Sequence, residues 1–109
     1  MAYDPALVER IRLCFGDSPV VEKKMFGGVA FMYRNYMCCG VNGNTLMLRV
    51  PRETHQEYLE KDYVREMDFT GKSLKGFIYV DADGVASDEA LQMWVEVGRA
   101  TVESLPPKE

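Results

Sequence analysis

A chain of 109 residues, 47% apolar and 28% charged, supports one domain with one modest core and is too short for two. Its net charge of −4 opposes non-specific binding to nucleic acid or anionic lipid, because both depend on summed positive charge. No apolar run approaches the ~20 residues that cross a bilayer, and no basic stretch leads into an apolar one at the N-terminus. The three cysteines are an odd set that does not read as a disulfide framework, and a cytoplasmic setting is expected.

Asp4-Pro5 opens the first helix, since Asp can cap it and Pro at the first helical position loses no needed hydrogen bond. Leu7, Val8, Ile11, Cys14 and Phe15 follow as one apolar stripe at helical period, and Gly16 is a natural stop. Cys14 on that stripe reads as a small buried hydrophobe.

Strand character begins near Val21 and dominates from Met25 to Val50. Arg34-Asn35, between Tyr33 and Tyr36, has the spacing of a two-residue hairpin loop, and Asn42-Gly43-Asn44 is a stronger turn signal. Together they predict a three-stranded antiparallel meander over Met25–Tyr33, Tyr36–Val41 and Thr45–Val50. In its last strand Leu46, Leu48 and Val50 share one face, while Thr45, Met47 and Arg49 share a second, partly wet one.

Pro51 ends that strand, and Arg52–Lys61 reads as a short polar surface helix. Tyr63–Phe69 reads as irregular with some strand character, Gly71–Gly76 as a loop and Phe77–Val80 as a compact strand. Asp81–Gly84 turns the chain into a last helix, capped by Ser87 or Asp88. That helix carries Leu91, Trp94, Val95, Gly98, Val102 and Leu105 on one stripe, and Pro106-Pro107 stops it. The expected order is α-β-β-β-α-β-β-α, a single α+β domain with helices layered on one antiparallel sheet.

Five blocks occur in order: E-K-K-M-F-G-G-V-A-F (Glu22–Phe31), M-C-C-G-V (Met37–Val41), L-M-L-R-V (Leu46–Val50), M-D-F-T-G-K-S-L-K-G-F (Met67–Phe77) and S-D-E-A-L-Q-M-W-V (Ser87–Val95). With them the chain resembles the TfoX N-terminal domain family from about Asp4 to Lys108. The resemblance implies a regulator related to bacterial competence proteins. It also implies a curved antiparallel sheet with packed helices, similar to type III secretion chaperones. The founding members add a C-terminal helical domain, whereas this chain ends at Glu109 and reads as a stand-alone version. The resemblance brings no catalytic set.

Four places carry enough chemistry to weigh. Lys23-Lys24-Met25-Phe26-Gly27-Gly28 offers two ammonium groups beside a flexible backbone, so Lys24, Gly27 and Gly28 are candidates for an anion site. A phosphate cradle opens onto a helix, however, and this one opens onto a strand, where glycines suit a bulge or close backbone crossing. Cys38 and Cys39, adjacent on a strand, are expected to point to opposite faces, and the chain has no C-x-x-C spacing, so neither a metal nor a cofactor is expected. In the segment 68–76, Asp68 beside Phe69, and Thr70, Lys72 and Lys75 between Phe69 and Phe77, are candidates for receiving an acidic partner or an anionic ligand. Finally, Met47 and Arg49, on the wetter sheet face, suit a protein partner or a second copy, and an edge strand offers a further route to a dimer. The leading expectation is a non-enzymatic interaction module without direct nucleic-acid or membrane contact. A small anionic-ligand binder or enzyme using the 68–76 segment is the alternative.

Overall fold

The computed structural model describes residues 3–25, 27–69 and 72–106. Helix α1 (Pro5–Phe15) is followed by strands β1 (Val20–Met25), β2 (Gly28–Tyr33), β3 (Tyr36–Asn42) and β4 (Thr45–Arg49). A 3₁₀ turn (Arg52–Thr54) and the short helix α2 (His55–Leu59) lead to β5 (Val64–Phe69) and β6 (Lys72–Val80), and after a second 3₁₀ turn (Ala82–Val85) comes α3 (Asp88–Glu103). The fold is α+β, with all strands in one antiparallel sheet ordered β1-β2-β3-β4-β6-β5.

Local chemistry explains the element ends. The Asp4 carboxylate accepts from the Ala6 amide at 2.9 Å, and Pro5 starts α1. The Ser87 hydroxyl accepts from the Ala90 amide at 3.1 Å and caps α3, whose first turn holds Asp88 and Glu89 on the favourable end of the helix dipole. Arg34 and Asn35 take φ of 54° and 69°, as a type I′ hairpin needs at both central residues. Gly43, at φ 60°, is the first of two residues between β3 and β4, the position a type II′ turn reserves for glycine.

Two expectations about the strands are corrected. The meander has a strand before it: Val20–Met25 pairs with β2 from Val20↔Tyr33 to Met25↔Gly28, because Gly27 at φ 77° closes a tight turn between them. The expected loop at 71–76 is strand from Lys72 onward, because β5 and β6 form a hairpin that pairs Phe69 with Lys72 and Asp68 with Ser73.

The core lies between the helices and one sheet face. Leu7, Val8, Ile11 and Phe15 of α1 and Leu91, Trp94, Val95 and Val102 of α3 bury against Val29, Phe31, Val41, Leu46, Leu48, Ile78 and Val80. Tyr58 and Leu59 of α2 join the same cluster, with Tyr58 tilted against Trp94 at 5.9 Å between ring centres. Each large side chain sealed there stabilises the fold by ~1.5–3 kcal/mol, before the cost of ordering it. Gly98 lets α3 lie close to the sheet: a Cβ there would sit 3.0 Å from the Cys38 carbonyl oxygen and 2.9 Å from a Leu48 methyl. Ala30, Met47 and Met67 are buried outside this cluster, at the alternate positions of their strands.

Candidate functional site

Gly28 answers what the glycine pair is for. A Cβ on Gly28 would fall 1.9 Å from the Val41 carbonyl oxygen, so β2 and β3 can cross here only without a side chain. Gly27 supplies the positive φ of the turn. Both glycines thus have backbone roles. Lys24, on exposed β1, lies four strand positions from β6, about 19 Å at the ~4.8 Å inter-strand spacing. Lys24 and β6 therefore do not meet in one site. Asp68 belongs to β5 and Lys72 and Lys75 to β6, but their side chains, and all of Thr70, lie outside the described residues.

The cysteine pair departs from simple strand alternation. Phe31 pairs with Cys39 and Met32 with Met37, so Cys38 is an extra residue in β3 and makes a bulge. The bulge re-aims the strand, and both side chains enter the same helix-facing core, each fully buried. The expectation of one thiol on each face is corrected for that reason. Burial first, and then the hydrogen bond and charge interaction with Cys38, push the Cys39 thiol well above its ordinary range. A nucleophilic cysteine needs the opposite setting, exposed and electropositive. Among the described residues no group of three or more His, Cys, Asp or Glu is placed to hold a metal.

The sheet face carrying Met47 is also drier than expected. Met47 is fully buried, with its terminal methyl over Gly40, 2.8 Å from where a Cβ would stand. Two other places among the described residues put cations without an ion-pair partner beside apolar surface.

One is the β1 edge. Residues 21–24 are all exposed, and Val21 retains 58% of its surface. Beside it runs a groove of about 570 Å³ lined by Pro19, Val21, Lys23, Met32, Arg34 and Asn35. Its lining mixes apolar contact with two cations and has no carboxylate. Glu22, the one acid on β1, is turned to α1: the Arg12 guanidinium donates to both of its oxygens, one at 2.8 Å. That bidentate bond holds the Glu22 carboxyl below its usual range. Lys23 and Lys24 make no ion pair among the described residues.

The second is a cleft of about 160 Å³ at the end of the sheet, beneath the C-terminus of α3, where Arg49 and Arg52 meet Gly76, Phe77 and Ser104. The Arg49 Nε donates to the Met37 carbonyl at 2.7 Å, and its guanidinium carbon stands 4.5 Å from the centre of the Phe77 ring. Burial lowers the Arg49 pKa, and Arg52 nearby lowers it further against the opposing influence of Cys38 and Tyr36. Arg49 was legible as a candidate from its place beside Met47. Lys23 was weighed with Lys24 as one of two ammonium groups beside the glycine pair, whereas Arg52 was missed as a site residue.

The TfoX N-terminal domain model matches residues 14–101. The chain belongs to the TfoX N-terminal domain family. The match takes in the β1 edge and the Arg49 cleft lining up to Thr101, with Ser104 and Leu105 beyond it. No curated protein and no solved structure matches the chain. Among the described residues, no helix of this TfoX N-terminal domain is long and apolar enough to cross a membrane.

Proposed function

We propose that this TfoX N-terminal domain is a small cytoplasmic, non-enzymatic regulatory module that binds another polypeptide along β1 and the groove beside it. The observation that carries the reading is the exposed β1 edge flanked by Lys23 and Arg34, in a groove with Val21 and Met32 and no acid. An edge strand presents unpaired amides and carbonyls, and a partner strand added there gains main-chain hydrogen bonds. Lysines on an edge discourage indiscriminate pairing, and their charge selects an acidic segment and speeds its approach. With Glu22 held by Arg12, the cations at this edge have no internal competitor among the described residues. The family's link to competence regulation supports a regulatory role for the contact.

Affinity capture from the native cell tests this. The bait is the full chain, compared with a Lys23→Glu/Arg34→Glu variant and with Glu89→Lys on α3 as a control. The reading expects a partner retained by the wild type and the control and lost at least tenfold by the double reversal. Equal capture by all three baits would remove the β1 groove as the contact.

A further inference from the structure

The Arg49 cleft holds a charge imbalance that the partner reading does not use. Arg10, Arg12, Arg65 and Arg99 each have a carboxylate within ion-pair distance. Arg34, Arg49 and Arg52 have none among the described residues, and of these three only Arg49 is half-buried. A cation withdrawn from water normally gains a counter-charge, because its lost hydration is otherwise uncompensated. Glu53, on the cleft lining, is exposed and bonds to neither arginine.

The geometry favours a bound group over simple solvation. Arg49 is fixed by its bond to the Met37 carbonyl and by the Phe77 and Tyr36 rings, 4.5 and 5.4 Å from its guanidinium carbon. The Nε is thereby taken, while the Nη groups have no hydrogen-bond partner among the described residues. Arg52 lies along Gly76, whose φ of 88° bends β6; the Arg52 Cγ is 3.3 Å from where a Cβ would stand, so the glycine makes room for it. The cleft of about 160 Å³ holds roughly five waters at ~30 Å³ each, enough for one small oxyanion and its remaining hydration.

We propose that Arg49 and Arg52 form an oxyanion site that takes a single carboxylate or phosphate group at the sheet end beneath α3. Two guanidinium forks around one small cleft suit the planar, multi-oxygen acceptor of either group. The site shares no lining residue with the β1 groove, so each can fail without the other.

Phosphate stabilises folded proteins generally by exclusion from their surfaces, so a thermal shift does not discriminate. The test is instead a titration of the ¹⁵N-labelled full chain, following arginine Nε–H signals, with sodium phosphate and separately sodium acetate. Ionic strength is held constant with sodium chloride. The Arg49 and Arg52 signals are expected to move along a saturating curve with at least one of the two anions, while those of Arg12 and Arg65 stay put. Saturation with acetate alone assigns the site to carboxylates, and with phosphate alone to phosphates. Arg52→Ala, an exposed change that spares the core, is expected to weaken binding about tenfold or more, the factor that follows from losing one charge-assisted hydrogen bond. Arg65→Ala leaves the curve unchanged. Signals that drift linearly for every arginine, or a wild-type curve retained in Arg52→Ala, would overturn the proposal.

Discussion

Replacing Gly98 by alanine is expected to destabilise this protein, although the same change inside an exposed helix stabilises by up to ~1 kcal/mol. Gly98 is buried on the face of α3 that meets β3 and β4. The added methyl would stand 2.9 Å from Leu48 Cδ1 and 3.0 Å from both the carbonyl oxygen and the sulfur of Cys38. Leu48 and Cys38 are fully buried, so neither side chain can swing into solvent, and the carbonyl belongs to a paired strand. Overpacking of this kind costs ~1–3 kcal/mol, against the ~1 kcal/mol gained in helix propensity. A net loss of about 1 kcal/mol follows, which lowers Tm by roughly 4–8 °C in a domain of this size. Thermal and urea unfolding followed by far-UV circular dichroism measure it. Because Leu48 Cδ1 is the nearest obstacle, Leu48→Val is expected to restore part of the loss, with a coupling of at least ~0.5 kcal/mol in the double-mutant cycle. A Gly98→Ala protein more stable than wild type, or strict additivity with Leu48→Val, would refute the reasoning.

Gly28→Ala is expected to cost about 3 kcal/mol or more, because its Cβ would meet the Val41 carbonyl oxygen at 1.9 Å and part β2 from β3; urea unfolding reads the loss. The buried Cys38 and Cys39 thiols are expected to stay silent toward a thiol reagent at pH 8 and to react only on unfolding, with Cys14 alone reacting in the native chain. The ionisation of Cys39 also gives a pH effect whose sign is fixed. The folded Cys39 pKa is raised, so above the ordinary value of 9.0 the unfolded chain sheds a proton the folded one keeps, and stability falls as pH climbs. A urea midpoint that rises between pH 8 and 10 would contradict this. Ser87→Ala is expected to lose ~1 kcal/mol by removing the hydroxyl that accepts from Ala90, while Ser87→Asp largely retains it.

How much was legible depended on how local the cause was. The turns at Arg34-Asn35 and Gly43, the Asp4 and Ser87 caps and most of the apolar stripes of α1 and α3 depend on neighbours within a few residues, and the structure has them where the sequence put them. The exceptions are Cys14, which is only half-buried, and Leu105, which lies beyond the end of α3 at Glu103. β1 was not visible as a strand of its own, because V-V-E-K-K-M at an exposed edge lacks the alternation that a half-buried strand shows. The polar start of β6 looked like loop for the same reason, since what makes it strand is its pairing with β5. The Cys38 bulge follows from the register between β2 and β3, which no single stretch encodes, and it alone decides that both thiols face inward. Among the site residues, Arg49 could be suspected from the strand pattern. Its cleft could not, because Arg52, Gly76 and Ser104 come from three separate parts of the chain and meet only in the fold.

The claim that matters most is that the β1 edge is where this TfoX N-terminal domain meets its partner. A photo-crosslinking residue placed in the native cell at Val21, which is 58% exposed, tests it against the same residue at Leu13, which is 72% exposed on α1. An adduct is expected from Val21 alone, joined to an Asp- and Glu-rich segment of another protein. The same adduct from both positions, none from Val21, or a Val21 adduct to a second copy of this chain would contradict it.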